Sequence, residues 1–108
     1  MKNLAKFLLP ITLLFLVNGV ANAANHSGQI TYYHLNSTVA GRDACIRMVP
    51  TIPAGNGWAC VFNNNPLRTQ ITTLAREGFF QGSKCAVNWT NIVGGVAAID
   101  MLDCGNTQ

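Results

Sequence analysis

The sequence predicts a mostly β domain with one helix, its elements in the order β-β-β-α-β-β and its strands tied by two disulfides. Three observations carry this. Gly94-Gly95 is a two-residue hairpin signal set between alternating runs. Four cysteines, Cys45, Cys60, Cys85 and Cys104, stand where paired strands would bring them face to face. A single stretch, residues 66–78, changes the apolar spacing from the strand period of two to the helical period of 3.6.

The strands begin after a leader. Lys2 and Lys6 precede an apolar run over residues 7–17, and Ala21-Asn22-Ala23 places small residues at the cleavage spacing. Residues 1–23 therefore read as a secretory signal peptide, too short and too sharply ended for a membrane span, and residues 24–108 as one domain. Without the leader, Arg42, Arg47, Arg68, Arg76 and Lys84 stand against Asp43, Glu77, Asp100 and Asp103, a net charge of +1. A nucleic-acid or anionic-membrane partner needs a broad basic face, which this balance cannot supply. No second apolar run long enough to cross a bilayer remains.

Residues 29–35, rich in Ile, Thr and Tyr, form the first expected strand. Residues 44–49 form the second, with Arg47 on the same side as Cys45 and Val49. Residues 57–62 form the third, with Trp58, Cys60 and Phe62 on one face and Ala59 and Val61 on the other. Asn65 is placed to cap a helix and Pro66 to occupy its first position, where no N–H is needed. Leu67, Ile71, Leu74, Ala75 and Gly78 then share one helical face, while Arg68, Thr69, Thr72, Thr73 and Arg76 turn away and Gly82 ends the helix. This Thr-rich outer face meets water or packs on copies of itself. Residues 84–92 and 96–102 complete the set. Three strands, a helix and two strands is the order of an OB-fold-like five-stranded Greek-key barrel. A split α+β sheet with a helix on one face, or an open sheet, are the alternatives for the same order.

A hairpin folded at Gly94-Gly95 pairs residues whose numbers sum to 189, and Cys85 and Cys104 do so. Cys45 and Cys60 flank a loop rich in Pro and Gly in a near-mirror setting, Ala44-Cys45-Ile46 and Trp58-Ala59-Cys60. The expected bridges are Cys45–Cys60 and Cys85–Cys104, each worth roughly 3 kcal/mol in the chain-entropy model. Such staples suit a small domain in an oxidising compartment. Neither a Cys-x-x-Cys nor a His-x-x-x-His spacing occurs, and His26 and His34 both lie near the start of the domain. No metal and no cofactor are expected.

The run Ala44-Cys45-Ile46-Arg47-Met48-Val49, the segment Gly57-Trp58-Ala59-Cys60-Val61, the helix from Pro66 to Gly78, Cys85-Ala86-Val87 after Gly82, and the closing Leu102-Asp103-Cys104 together resemble a known family. They are similar to the B subunits of bacterial toxins that set one A subunit on five B subunits, in particular the subtilase cytotoxin and pertussis-like kinds. The resemblance implies an exported OB-fold subunit in a homopentameric ring, helices lining the central pore, an exported A subunit as partner and a host glycan on the barrel surface. It places Ser27 where a serine before the first strand contributes to a sialic-acid site. Gly28 and Gln29 stand where that motif has an acidic neighbour. A periplasmic or envelope interaction protein, an accessory subunit or inhibitor without sugar binding, is the other reading of the same chain.

Sugar recognition uses aromatic faces against CH groups with polar side chains at the rim. Ser27, Tyr32, Tyr33, Asn63 and Asn64 are the ligand-binding candidates, with Trp58 and Trp89 of the right type but in phase with bridged cysteines. One of Tyr32 and Tyr33 must point inward, because neighbours on a strand alternate. His34 reads as a strand-surface residue. The carboxylates are scattered and neither a Gly-x-Ser-x-Gly nucleophile motif nor a phosphate-cradling loop occurs, so no catalytic residue is assigned.

Overall fold

Gly94 and Gly95, both at positive φ, turn the last two strands back on each other, and the barrel is built outward from that hairpin. The computed structural model describes residues 23–36 and 38–105, so the expected leader lies outside the described residues except for Ala23. Five strands are present: β1 (Ala24–Leu35), β2 (Arg42–Val49), β3 (Ala59–Phe62), β4 (Lys84–Val93) and β5 (Val96–Gly105). One helix, α1 (Arg68–Gln81), joins β3 to β4. The strands close in the order β1-β2-β3-β5-β4, all neighbours antiparallel except the short parallel pair of β3 and β5. The expected five-stranded barrel with one helix is therefore the observed fold, closed rather than an open or split sheet.

Both bridges form as expected, Cys45–Cys60 and Cys85–Cys104, each between directly opposed residues. They lie on opposite sides of the barrel wall. Cys85 belongs to the main core with Ile30, Ile46, Val61, Val87 and Ile99, whereas Cys45, Cys60 and Val96 form a separate outer cluster under Trp58 and Phe62. Alternation explains the division: Ile46, Ala59 and Val61 point in, so Cys45, Cys60 and Trp58 point out.

Several boundaries move. β1 begins at Ala24 rather than at residue 29, because Ala24 to Gln29 pair with β4 and Gln29 to Leu35 with β2. Asn25, His26, Ser27 and Gly28 have little intrinsic strand preference, and the partner backbone overrides it. The 3-10 turn Gly55–Gly57 shortens the expected third strand to Ala59–Phe62, with Asn56 and Gly57 in left-handed conformations. β2 starts two residues earlier and β5 ends three residues later than expected.

The helix start is also corrected. Asn65 Oδ1 accepts from the Leu67 N–H at 2.8 Å, as a capping side chain does, but residues 66 and 67 are still in a turn and the regular helix opens at Arg68. Leu67 consequently leaves the apolar stripe and is 50% exposed. Ile71, Ala75 and Gly78 are buried against the barrel, and Gly82 at φ 67° closes the helix with its N–H on the Gly78 and Phe79 carbonyls.

Candidate functional site

The outer face of β1, β2 and the approach to β3 carries a row of aromatic and cationic side chains. Register places Tyr32 opposite Arg47, His34 opposite Cys45 and Cys45 opposite Cys60. Continuing that register sets Trp58 beside Arg47. The Arg47 guanidinium lies over the Trp58 ring, 4.8 Å from its centroid, a cation–π contact. Tyr32 meets the same indole edge-on at 5.6 Å and the His34 ring is tilted to it at 5.9 Å. The outer disulfide thus sets the register that gathers Tyr32, His34, Arg47 and Trp58 in one patch.

Beside this patch a pocket of about 220 Å3 is lined by His34, Asn36, Arg42 and Trp58, over the Cys45–Cys60 bridge and Val96. Arg42 Nη2 donates to the Gly94 carbonyl at 3.3 Å, joining the β1–β2 loop to the β4–β5 turn, while Arg42 Nε is buried without a hydrogen-bond partner. Asn36 Oδ1 accepts from the Thr38 N–H, the Thr38 hydroxyl and the Val39 N–H, which fixes the orientation of its amide.

The five residues expected to bind ligand lie on separate surfaces. Tyr32, 53% exposed, belongs to the Trp58 patch. Tyr33 points the other way: its hydroxyl donates to the Thr72 carbonyl at 3.3 Å and its ring stacks with Phe79 at 6.3 Å. Burial pushes the Tyr33 phenol above its ordinary pKa, against a smaller lowering by the Arg76 cation. Asn63 and Asn64 are exposed in a wider concavity of about 600 Å3, shared with Asn91 and Asp100. Ser27 lies in a shallow depression with Lys84 and Asp103. Trp89 is 5% exposed and belongs to the core.

Arg42, Asn36 and Arg47 are absent from the residues chosen by sequence. Arg47 had a signal, its shared face with Cys45. Arg42 and Asn36 had none, since only the closure of the β1–β2 hairpin onto the β4–β5 turn brings them to Trp58. The carboxylates serve elsewhere: Asp43 pairs with Arg68 at 3.6 Å and Asp100 accepts from the Thr90 hydroxyl at 2.8 Å.

The sequence matches no protein-family model and no curated protein. Among solved structures, the cholera toxin-like B-subunit from Citrobacter freundii superposes with a TM-score of 0.55 at 15% identity, covering 85% of this chain and 94% of that one. The fold is that of a toxin B subunit. At this identity the likeness is one of architecture, and it extends over almost the whole of the toxin-like B-subunit. No helix among the described residues is long and apolar enough to cross a membrane.

Proposed function

We propose that this chain is an exported, non-catalytic binding subunit, of the subtilase cytotoxin and pertussis-like kind, that assembles as a ring of identical copies and binds host glycans on its barrel surface. The observation that carries the reading is the toxin B-subunit fold, matched over 85% of this chain and 94% of the neighbour. Export is supported by the leader at residues 1–23 and by two disulfides, which persist in oxidising compartments. Assembly is supported by the outer face of α1, where Thr69, Thr73 and Arg76 are exposed and Phe80 is 73% exposed. An exported enzymatic subunit would sit on the ring.

Glycan binding is supported by the Tyr32–Trp58 patch, which offers an indole, a phenol and the Arg47 guanidinium on one wall. Native mass spectrometry of the oxidised mature chain should give a pentamer, and a monomer would overturn the ring. A glycan array probed with the same material should show saccharide binding that is lost in Trp58→Ala, and an array without signal would overturn the ligand half.

A second reading, an envelope interaction protein without sugar binding, is favoured by exposed Leu35, Val39, Ile92 and Val93 near the two loops that the Arg42–Gly94 bond joins. A stable periplasmic protein partner together with a silent array would support it.

A further inference from the structure

We propose that Asn56 is a site of spontaneous modification: when the turn that holds it opens, the Gly57 nitrogen displaces its side-chain ammonia, and the acidic products release the Gly94–Gly95 turn from the wall that carries Trp58. The chemistry uses only this turn and water, whatever the barrel surface binds.

Asn56-Gly57 is the one Asn-Gly pair in residues 24–108. Glycine matters here because it has no Cβ to shield the attacking nitrogen. Asn56 is exposed and stands in the left-handed region at φ 57° and ψ 29°, with Gly57 following at φ 84°. Asn tolerates that conformation better than most residues, so the turn can be built with it. Asn36, which precedes a serine, instead has its carboxamide pinned by three hydrogen bonds at Oδ1.

In the closed turn the reacting atoms are kept from each other. The Gly57 N–H donates to the Ala54 carbonyl at 3.0 Å, Gly57 is buried, and Asn56 Nδ2 donates to the Gly95 carbonyl at 3.2 Å. Attack needs a deprotonated Gly57 nitrogen facing Asn56 Cγ, so both bonds must break first. The flanks resist this. Ile52 is 1% exposed in the core, the Ala97 N–H donates to the Trp58 carbonyl at 3.1 Å, and Gly55 lies so close to Val96 and Ala97 that a Cβ there would collide with their backbone. The rate therefore follows the fraction of time the turn is open.

Once open, the Gly57 nitrogen gives its proton to solvent and bonds to Asn56 Cγ, while the Cγ–Nδ2 bond breaks and the amide leaves as ammonia, taking a proton from water. A five-membered imide remains. One water then adds to either of its carbonyls: breaking the new bond to Cγ gives aspartate, and breaking the original peptide bond gives isoaspartate, with the main chain rerouted through Cγ. No oxidant or reductant takes part.

The products act on a clasp. Arg42 Nη2 holds the Gly94 carbonyl at 3.3 Å and Asn56 Nδ2 holds the Gly95 carbonyl, so two donors secure one turn. Conversion replaces the second donor by a carboxylate, which only accepts and repels the carbonyl it held. It also offers the Arg42 guanidinium a stronger acceptor than the Gly94 carbonyl. Isoaspartate further adds a methylene to the main chain two residues before Trp58.

The test ages the oxidised mature protein in mildly alkaline buffer and follows each Asn by peptide mapping, with chromatography to separate aspartate from isoaspartate. Conversion should appear first at residue 56, at least about tenfold more slowly than in the reduced, alkylated chain in guanidinium. Guanidinium below the unfolding midpoint should speed it step by step. Equal rates in folded and unfolded chains, earlier conversion at another Asn of the folded protein, or no conversion below the midpoint would overturn the gated site. Asn56→Asp, the aspartate product, should lower hydrogen-exchange protection of the Ala97 amide about fivefold, as loss of one ordinary hydrogen bond does, while Asn56→Gln should abolish the reaction and leave protection within about twofold. Unchanged protection in folded Asn56→Asp would overturn the release of the turn. If Asn56→Asp fails to fold, the same exchange measurement on the aged, more acidic fraction separated by ion exchange decides it.

Discussion

Gly78 of α1 rests directly on Cys85: a Cβ at position 78 would fall 2.9 Å from the Cys85 Sγ and 3.0 Å from the Cys104 Sγ. The helix backbone therefore meets the inner disulfide with nothing between them. A glycine inside a helix costs about 1 kcal/mol relative to alanine, and here that cost is offset by the approach it permits. Ile71, Ala75 and Gly78, successive buried residues of the stripe, shorten toward the bridge and seat the helix on it.

Gly78→Ala should accordingly lower stability despite its better helix propensity. Overpacking against the two sulfurs costs about 1–3 kcal/mol, against the ~1 kcal/mol gained from propensity. A urea midpoint that stayed level or rose would mean that α1 can lift off the bridge without loss.

The two disulfides should differ in what their removal costs. They close loops of similar length, with sequence separations of 15 and 19, so the chain-entropy contribution is about 3 kcal/mol for each. Exposure does not separate them, with Cys85 at 1%, Cys45 at 2% and Cys60 at 0%, but what covers them does: the α1 backbone at Gly78 lies on the Cys85–Cys104 bridge, while Val96, Trp58 and Phe62 surround Cys45 and Cys60. Replacing Cys85 and Cys104 by Ala should also open a void under Gly78 and cost a further ~1 kcal/mol or more. Replacing Cys45 and Cys60 should instead loosen the register that sets Trp58 beside Arg47, so its larger effect falls on ligand binding. Denaturant midpoints of the two double variants check the order, and the reverse order would contradict the placement.

Much of this architecture was legible because hairpin arithmetic needs few assumptions. Cys85 and Cys104 sit on the register set by Gly94-Gly95 even though Trp89 pairs with Ile99, one residue off. Irregularities on both sides of Trp89 shift the register and then restore it, so the cysteine pairing survives. The first half of β1 was hidden for the opposite reason. Asn25-His26-Ser27-Gly28 becomes strand only through the backbone of β4, and no local preference announces a distant partner. Leu67 obeys the helical spacing, yet spacing cannot tell a turn residue from a first helical residue. At the candidate site, alternation set Tyr32 and Tyr33 on opposite faces, but the pocket draws Asn36 and Arg42 from a loop and a strand end, where periodicity carries no information.

The two tryptophans should separate stability from binding. Trp89 is core, 5% exposed, and Trp89→Ala should cost about 3–5 kcal/mol. Trp58 stands half-buried on the outer wall under the Arg47 guanidinium. Its removal forfeits a cation–π contact and partial burial, about 1–2 kcal/mol, and should abolish saccharide binding while the barrel still melts cooperatively. Paired melting curves and array signals for the two variants check this. Binding that persists in Trp58→Ala would move the ligand to another surface, such as the concavity of about 600 Å3 at Asn63 and Asn64.

Tyr33 should give the barrel an alkaline limit. Its phenol is held above the ordinary value near 10 by burial, with Arg76 pulling weakly the other way. The native state then keeps the phenolic proton at pH values where the unfolded chain has lost it. Native protein binds more protons in that window, so stability falls as pH rises: it is full below the ordinary tyrosine value and is lost as pH climbs through the raised one. Tyr33→Phe removes the titrating group and a long hydrogen bond to the Thr72 carbonyl, 3.3 Å, while retaining the ring against Phe79. Near neutral pH it should cost only about 0.5–1 kcal/mol, and from about pH 10 upward its stability should decline less steeply than that of the parent chain. Urea midpoints for both proteins near neutrality and at about pH 10.5 give the comparison; parallel declines would show that the alkaline loss arises at another group.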